Sequence, residues 1–148
     1  MSASPSSCEA REVRQFDFWV GNWNAFDTGP VTPVARVRVD RILDGCVLRE
    51  DYQDTNGLRG QSFGVYDAGN KRWHQTWVTN RGQLLLLDGD LQGEEMILRG
   101  KDRTADGKER SVRRHLEADQ GRCARNSHQV DGRWQDMGAM VRHSVQTT

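Results

Sequence analysis

The sequence predicts an all-β protein: a single antiparallel up-and-down β-barrel of about eight to ten strands, with a short N-terminal helical turn closing one end. From about residue 31 onward, apolar and polar residues alternate with a period of two. The alternating runs end in Gly, Asp or Asn and recur roughly every 10 to 15 residues, which is typical of hairpins. No crossover helix is predicted between them, and closing the sheet into a barrel removes its exposed edges.

The individual elements follow in chain order. Aromatic residues between Val13 and Trp19 predict the helical turn. The segment "ARVRVD" predicts a strand, and "DGC" at residues 44–46 predicts the hairpin turn that leads into "CVLREDYQ". Further strands are predicted from "GQSFGVYD", "RWHQTWVT", "QLLLLDGDLQ", "EMILRGKD", "RSVRRHLEAD", "RCARNSHQV" and "MGAMVRHSV". The charged segment "GKDRTADGKER" between two of them predicts a solvated hairpin tip.

Length and charge limit the domain count and the classes of partner. A chain of 148 residues is the size of one domain, so we expect a flexible leader at residues 1–12 and one barrel domain at residues 13–148. Lys plus Arg and Asp plus Glu number 21 each, which leaves the formal net charge near zero. Such a balance gives no reason to expect nucleic acid or an anionic membrane as a partner.

Cysteines and histidines form no recognisable metal or disulfide pattern. Cys8, Cys46 and Cys123 are odd in number and lack a C-x-x-C spacing, so free thiols are expected. Residues 1–12 lack the basic and apolar regions of a signal peptide, which together with free thiols predicts a cytoplasmic protein. The four histidines show no H-x-H or H-E-x-x-H spacing, so no metal site and no cofactor are predicted.

Glu50 is the most informative polar residue of the predicted barrel interior. It shares a strand face with Cys46, Leu48 and Tyr52, so its carboxylate is expected to point inward, where an unpaired charge is costly. Arg114 lies on an apolar face of "SVRRHLE" and is the candidate partner. The two residues form either a structural ion pair or the polar end of a ligand pocket, with Tyr52 beside it.

Two neighbouring strands add further interior candidates. Gln75 and Trp77 share a face on one strand, and Ser62 and Tyr66 share a face on the preceding strand. In the structural interpretation, the tryptophan is core and the amide satisfies a backbone group. In the functional interpretation, Trp77 is a wall of the cavity and Ser62, Tyr66 and Gln75 orient a ligand by hydrogen bonds.

Four sequence blocks, in order, resemble a known family. They are "FDFWVGNW" at 16–23, "DGCVLRE" at 44–50, "YDAGNKRWHQTWV" at 66–78 and "DGRW" at 131–134. The chain is thereby similar to the calycin superfamily, and more narrowly to a bacterial lipocalin-like family of largely unknown function. The resemblance implies that a G-x-W motif begins the first strand and that the preceding turn closes one end of the barrel. The closing residues that it implies are Phe16, Phe18, Trp19, Gly21, Trp23 and Arg142.

His143 is the best candidate for an inward imidazole. It shares a face with Ala139 and Val141 in the last predicted strand. It is a candidate ligand-binding residue, and several roles stay open for it: a general base, a packed core or exposed residue, or, by similarity to haem-binding barrels of this fold, a haem ligand.

Three functions remain open on the sequence. The first is binding of a small, mostly apolar metabolite with one acidic or phenolic end in the barrel cavity. The second is a cofactor-independent isomerase, cyclase or lyase in which Glu50 carries the proton and His143 or Tyr66 assists. The third is a packed barrel acting as an interaction module, and a homodimer is possible in each case.

Overall fold

A closed antiparallel β-barrel of ten strands forms the molecule. The computed structural model describes the backbone of residues 7–26, 34–119, 122–130 and 133–142, and the side chains of residues 8–25 and 34–117. The strands are β1 (Gly21–Phe26), β2 (Ala35–Ile42), β3 (Val47–Asp54), β4 (Arg59–Asp67), β5 (Arg72–Thr79), β6 (Leu84–Gln92), β7 (Glu95–Arg103), β8 (Glu109–Asp119), β9 (Arg122–Val130) and β10 (Arg133–Arg142).

Each strand pairs with the next along the chain, and β1 pairs with β10 to close the ring. This is the up-and-down topology that the alternating pattern predicts, so the predicted fold class is confirmed. At the seam, the backbone of Trp23 lies opposite that of Arg142. The first and last strands, which carry two of the closing residues that the resemblance implies, are therefore neighbours.

The period-two pattern places every second residue in the interior. In β4, Gly60, Ser62 and Gly64 are buried, whereas Arg59 and Phe63 are exposed. The same alternation in β2 buries residues 35, 37 and 39 and exposes residues 36 and 38. A slip of one residue would exchange the two faces, so the register determines which polar groups enter the barrel.

Short 3₁₀ helices at Ser7–Glu9, Arg11–Arg14 and Asp17–Trp19 precede the barrel. Phe16 and Trp19 are each 1% exposed, so the segment is packed as a plug over one end, as expected. We call this the closed end. The strands enter or leave the opposite end at residues 54–59, 79–84 and 103–109, and we call that end the mouth.

A disulfide joins Cys8 to Cys46 and ties the first 3₁₀ helix to the hairpin between β2 and β3. The expectation of free thiols is therefore wrong for these two cysteines. They are 38 residues apart in the sequence, and only the folding of the plug onto this hairpin brings them together. The link also holds the chain to the barrel from residue 8, inside the segment expected to be a flexible leader.

Candidate functional site

The barrel interior holds a hydrogen-bonded cluster of four polar side chains, which we call the polar network: Glu50, Ser62, Gln75 and Arg114. The Arg114 guanidinium donates from Nη2 to Glu50 Oε2 at 2.9 Å and from Nη1 to Glu50 Oε1 at 3.1 Å. Its Nη1 also donates to Gln75 Oε1 at 2.9 Å. The Ser62 hydroxyl donates to Glu50 Oε1 at 2.8 Å and accepts from Gln75 Nε2 at 3.0 Å. Both oxygens of the buried carboxylate are thus bonded.

The position of Arg114 across the barrel limits the interior space. Glu50 lies on β3 and Arg114 on β8, which are five strands apart in the ring of ten and therefore face each other. Their side chains nevertheless meet, and the exposed fraction is 1% for Glu50 and 8% for Arg114. The Arg114 guanidinium also lies 4.9 Å from the ring centre of Trp19 in the plug, a cation–π geometry. The polar network therefore fills the lumen directly behind the plug.

Aromatic side chains pack tightly at the closed end. Phe16 stacks on Trp19 with ring centres 4.9 Å apart and meets the edge of Trp73 at 5.4 Å. The indole of Trp23 donates to the Trp19 carbonyl at 2.8 Å, which fixes β1 against the plug. Tyr66 belongs to this end as well, because its ring lies 6.0 Å from that of Trp73. Trp23, Trp19 and Phe16 are thus packed together at the closed end.

The mouth has a different character, because its aromatic residues are only partly buried. Tyr52 and Trp77 meet edge to face with ring centres 5.7 Å apart. Trp77 lies directly over Gly60, where a Cβ atom would come within 2.4 Å of the indole ring. The Tyr52 hydroxyl donates to Asp54 at 3.2 Å. Glycine at position 60 thus leaves the space in which this aromatic wall is seated.

A second buried charge pair lies at the mouth, on the side opposite Tyr52. Arg110 on β8 donates from Nε and Nη2 to the two carboxylate oxygens of Asp102 at 3.0 and 2.7 Å, and Gln83 Nε2 adds a bond at 3.3 Å. The Asp102 side chain is 2% exposed, whereas that of Arg110 is 28% exposed. The hydrogen bond to Asp102 raises the pKa of Arg110 above its usual value, against the opposing effect of burial. The Nη1 group of Arg110 makes no hydrogen bond with a described residue.

Sequence reasoning missed Asp102 and Arg110. The segment that contains them was expected to be a solvated hairpin tip, and only residues 104–108 form that turn. The signal was present in the alternation, since Leu98, Gly100 and Asp102 share one face of β7. Because β7 extends past Asp102 and β8 begins before Arg110, both residues belong to strands, and the alternation of the strands turns their side chains inward.

A cavity of about 1280 Å³ lies against the mouth-side half of β1–β5. Its lining includes the outward side chains of Arg36, Arg38 and Arg59, but no residue of the polar network. Trp23 and Val37 also line it, yet they are 4% and 2% exposed, so their backbone rather than their side chains forms its floor. The cavity therefore runs along the outer face of the barrel wall and reaches the mouth at Tyr52 and Gly60, and we call it the outer groove.

The predicted site residues thus fall into four groups. Glu50, Ser62, Gln75 and Arg114 come together in the polar network. Tyr52 and Trp77 lie nearer the mouth, whereas Tyr66 lies at the closed end. His143, the candidate general base and haem ligand, lies outside the described residues. Arg142 is described by its backbone alone.

Two further properties concern metals and membranes. Across the part of the chain whose side chains are described, no three His, Cys, Asp or Glu residues gather where they could hold a metal ion. Within the described ranges, no helix has the length and apolar content that crossing a membrane requires.

Comparison with known proteins adds no assignment. No protein-family model matches the sequence, and no curated protein is similar to it at a significant level.

Proposed function

We propose that the protein binds a small, mostly apolar molecule with one acidic or phenolic end, and that the ligand occupies the mouth of the barrel. The observation that carries the proposal is a difference in exposure between the side chains in the middle of the barrel and those at its mouth. The polar network is buried and its carboxylate is fully bonded, whereas Tyr52, Trp77 and Arg110 at the mouth remain partly accessible. A ligand that enters from the mouth meets these three side chains first and the polar network as a floor.

The chemistry of the mouth suits such a molecule. Tyr52 and Trp77 offer aromatic surface from one side of the ring, which favours apolar or planar groups. Arg110 lies on β8, opposite β3, and keeps an Nη1 donor that Asp102 does not use. A carboxylate or phenolate that accepts from this donor would form a charge-assisted hydrogen bond. The mouth thus offers an apolar wall and one cationic anchor.

Acid–base catalysis by Glu50 has less support. Both of its oxygens accept hydrogen bonds from Arg114, and Ser62 donates to one of them, so a substrate would have to displace a buried ion pair. We therefore assign Glu50 a structural role under this proposal, and we propose no reaction.

Membership of the calycin superfamily is part of the same proposal. The closed ten-stranded barrel, the plug ahead of β1 and the backbone pairing of Trp23 with Arg142 support it. A cytoplasmic location is proposed with less support, because the Cys8–Cys46 disulfide is typical of oxidising compartments. Thiol labelling of the protein in intact cells decides this point: labelled Cys8 and Cys46 would indicate a reducing compartment.

The binding experiment uses cis-parinaric acid, a fluorescent probe with a long apolar chain and one carboxylate. We expect saturable binding at one site per chain, and roughly tenfold weaker binding of the methyl ester because it lacks the charge that Arg110 would bind. Trp77→Ala and Gly60→Ala should each weaken binding, the second because the new Cβ displaces the indole.

Leu84→Ser is the matched control, because Leu84 faces outward on β6 and is 55% exposed. It should leave the affinity for the probe unchanged. Absence of saturable binding, or an affinity that Trp77→Ala does not change, would refute a ligand site in the mouth.

A further inference from the structure

The outer face of β4–β6 carries an apolar patch where a barrel wall is normally polar. Leu84, Leu86, Val78 and Phe63 are 55, 47, 41 and 39% exposed. Val78 lies directly opposite Leu84, and Thr76 lies between Phe63 and Leu86 in the strand register. The four side chains, which we call the outer patch, are therefore contiguous. Together they expose on the order of 300 Å² of apolar surface, a size at which a patch on a monomer is often functional.

Basic residues lie on one side of the outer patch: Arg59 on β4, and Arg36 and Arg38 on β2, which β3 separates from the patch. Arg36, Arg38 and Arg59 are exposed in the outer groove, which meets the outer patch at Val78. None of the three guanidinium groups forms an ion pair or a hydrogen bond with another described residue. Two acids line the groove as well: Asp51, which accepts from Gln61 at 2.8 Å, and Asp54, which accepts from the Tyr52 hydroxyl at 3.2 Å. With three arginines against these two acids, this side of the outer patch carries a net positive charge within the described residues.

The opposite border of the patch, on β7, is basic as well. Arg99 and Arg103 are exposed there, and neither pairs with a described acid. Lys101 lies between them and pairs with Glu109 at 3.2 Å. Because both borders are cationic, a two-fold contact between copies through this face would set positive charge against positive charge.

We propose that the outer patch and its basic borders bind an acidic segment of another protein, with apolar side chains of that segment seated on Leu84, Leu86, Val78 and Phe63. Charge complementarity selects this partner over a second copy of the chain. The barrel is closed, so the described sheet offers no free edge for β-strand addition, and the contact runs through side chains of the outer face. The inference is independent of the ligand site in the mouth.

The probe for the test is a fluorescein-labelled twelve-residue peptide that alternates Glu and Leu, with a Lys–Leu peptide of the same length as its counterpart. Fluorescence anisotropy should show binding of the Glu–Leu peptide only. Raising the salt from about 50 to 300 mM should weaken the binding at least threefold, because exposed charges are screened. This readout needs no variant.

Two double variants locate the site. Leu84→Ser with Leu86→Ser, and Arg36→Gln with Arg38→Gln, should each weaken peptide binding at least threefold, whereas Lys71→Gln in a distant turn should not. All substituted positions are exposed, and thermal unfolding curves check that the fold is kept. Binding of parinaric acid should be unchanged in every variant, which separates this surface from the mouth.

The proposal is overturned by any of three results: no binding of the Glu–Leu peptide, equal binding of the Lys–Leu peptide, or double variants that bind like the parent. Sedimentation velocity tests whether a second copy of the chain occupies the outer patch instead. A dimer that the Leu84→Ser, Leu86→Ser variant dissociates would identify a second copy as the occupant and would likewise overturn it.

Discussion

Replacing Arg114 by Met tests whether the polar network is structural. The substitution keeps an aliphatic chain in place but leaves the Glu50 carboxylate, 1% exposed, without its cation. Removing one member of a buried ion pair costs about 3 to 5 kcal/mol. In a domain of this size each kcal/mol lowers Tm by about 2 to 4 °C, so the expected fall is roughly 6 to 20 °C. The loss of the contact with Trp19 acts in the same direction.

The assay is urea unfolding followed by tryptophan fluorescence at neutral pH. Combining Arg114→Met with Glu50→Leu should recover most of the loss, because an apolar pair of similar volume replaces two buried charges. Lys101→Met is the matched control; it breaks the exposed pair with Glu109 and should cost less than about 1 kcal/mol. A cost below about 1 kcal/mol for Arg114→Met, or no recovery in the double variant, would refute a structural role for the network.

Three other perturbations test separate parts of the structure. Reducing the Cys8–Cys46 bond, which closes a 38-residue span, should lower the free energy of unfolding by about 3 to 4 kcal/mol, and equal urea midpoints with and without reductant would contradict this. Trp23→Phe removes the indole donor that ties β1 to the plug and should cost about 1 to 2 kcal/mol in urea unfolding; no measurable cost would exclude that role. The Asn70 side chain, by its hydrogen bond, holds the pKa of Asp67 below its usual value, so Asn70→Ala should lose stability at neutral pH. That loss should shrink as the pH falls below about 4, where the unfolded state begins to take up the proton, and should vanish once the pH is below the lowered pKa of Asp67 in the folded state. An equal difference in Tm at pH 7 and pH 2 would argue against it.

The fold and the inward position of Glu50 could be predicted because strand periodicity is a strong signal. Once β3 is assigned, Leu48 and Tyr52 determine that Glu50 points inward. An inward carboxylate needs a partner, and Arg114 stood out as a basic residue on an apolar face. The sequence could not show that these side chains meet across the lumen, nor that Gln75 bonds Ser62 and Arg114 rather than a backbone group. Those contacts depend on the diameter of the barrel.

Other features were hidden for identifiable reasons. Asp102 and Arg110 lie at strand ends, where charged turns obscure the alternation. Leu84 and Leu86 lie in the run "LLLL", where inward and outward residues are both apolar, so the outer patch leaves no trace in the pattern. The bond to Cys46 depends on where the plug docks, which cysteine spacing does not encode.

Glu50 and Arg114 are 64 residues apart in the sequence, and their strands lie on opposite sides of the ring. If either strand paired one residue out of alignment, one charge would turn to solvent and the other would remain alone in the lumen. Such a mis-paired barrel would carry the full penalty of an isolated buried charge, which the correct barrel avoids. The ion pair therefore selects one strand register of the closed barrel. Its main effect is to destabilise the wrong registers, rather than to stabilise the correct one.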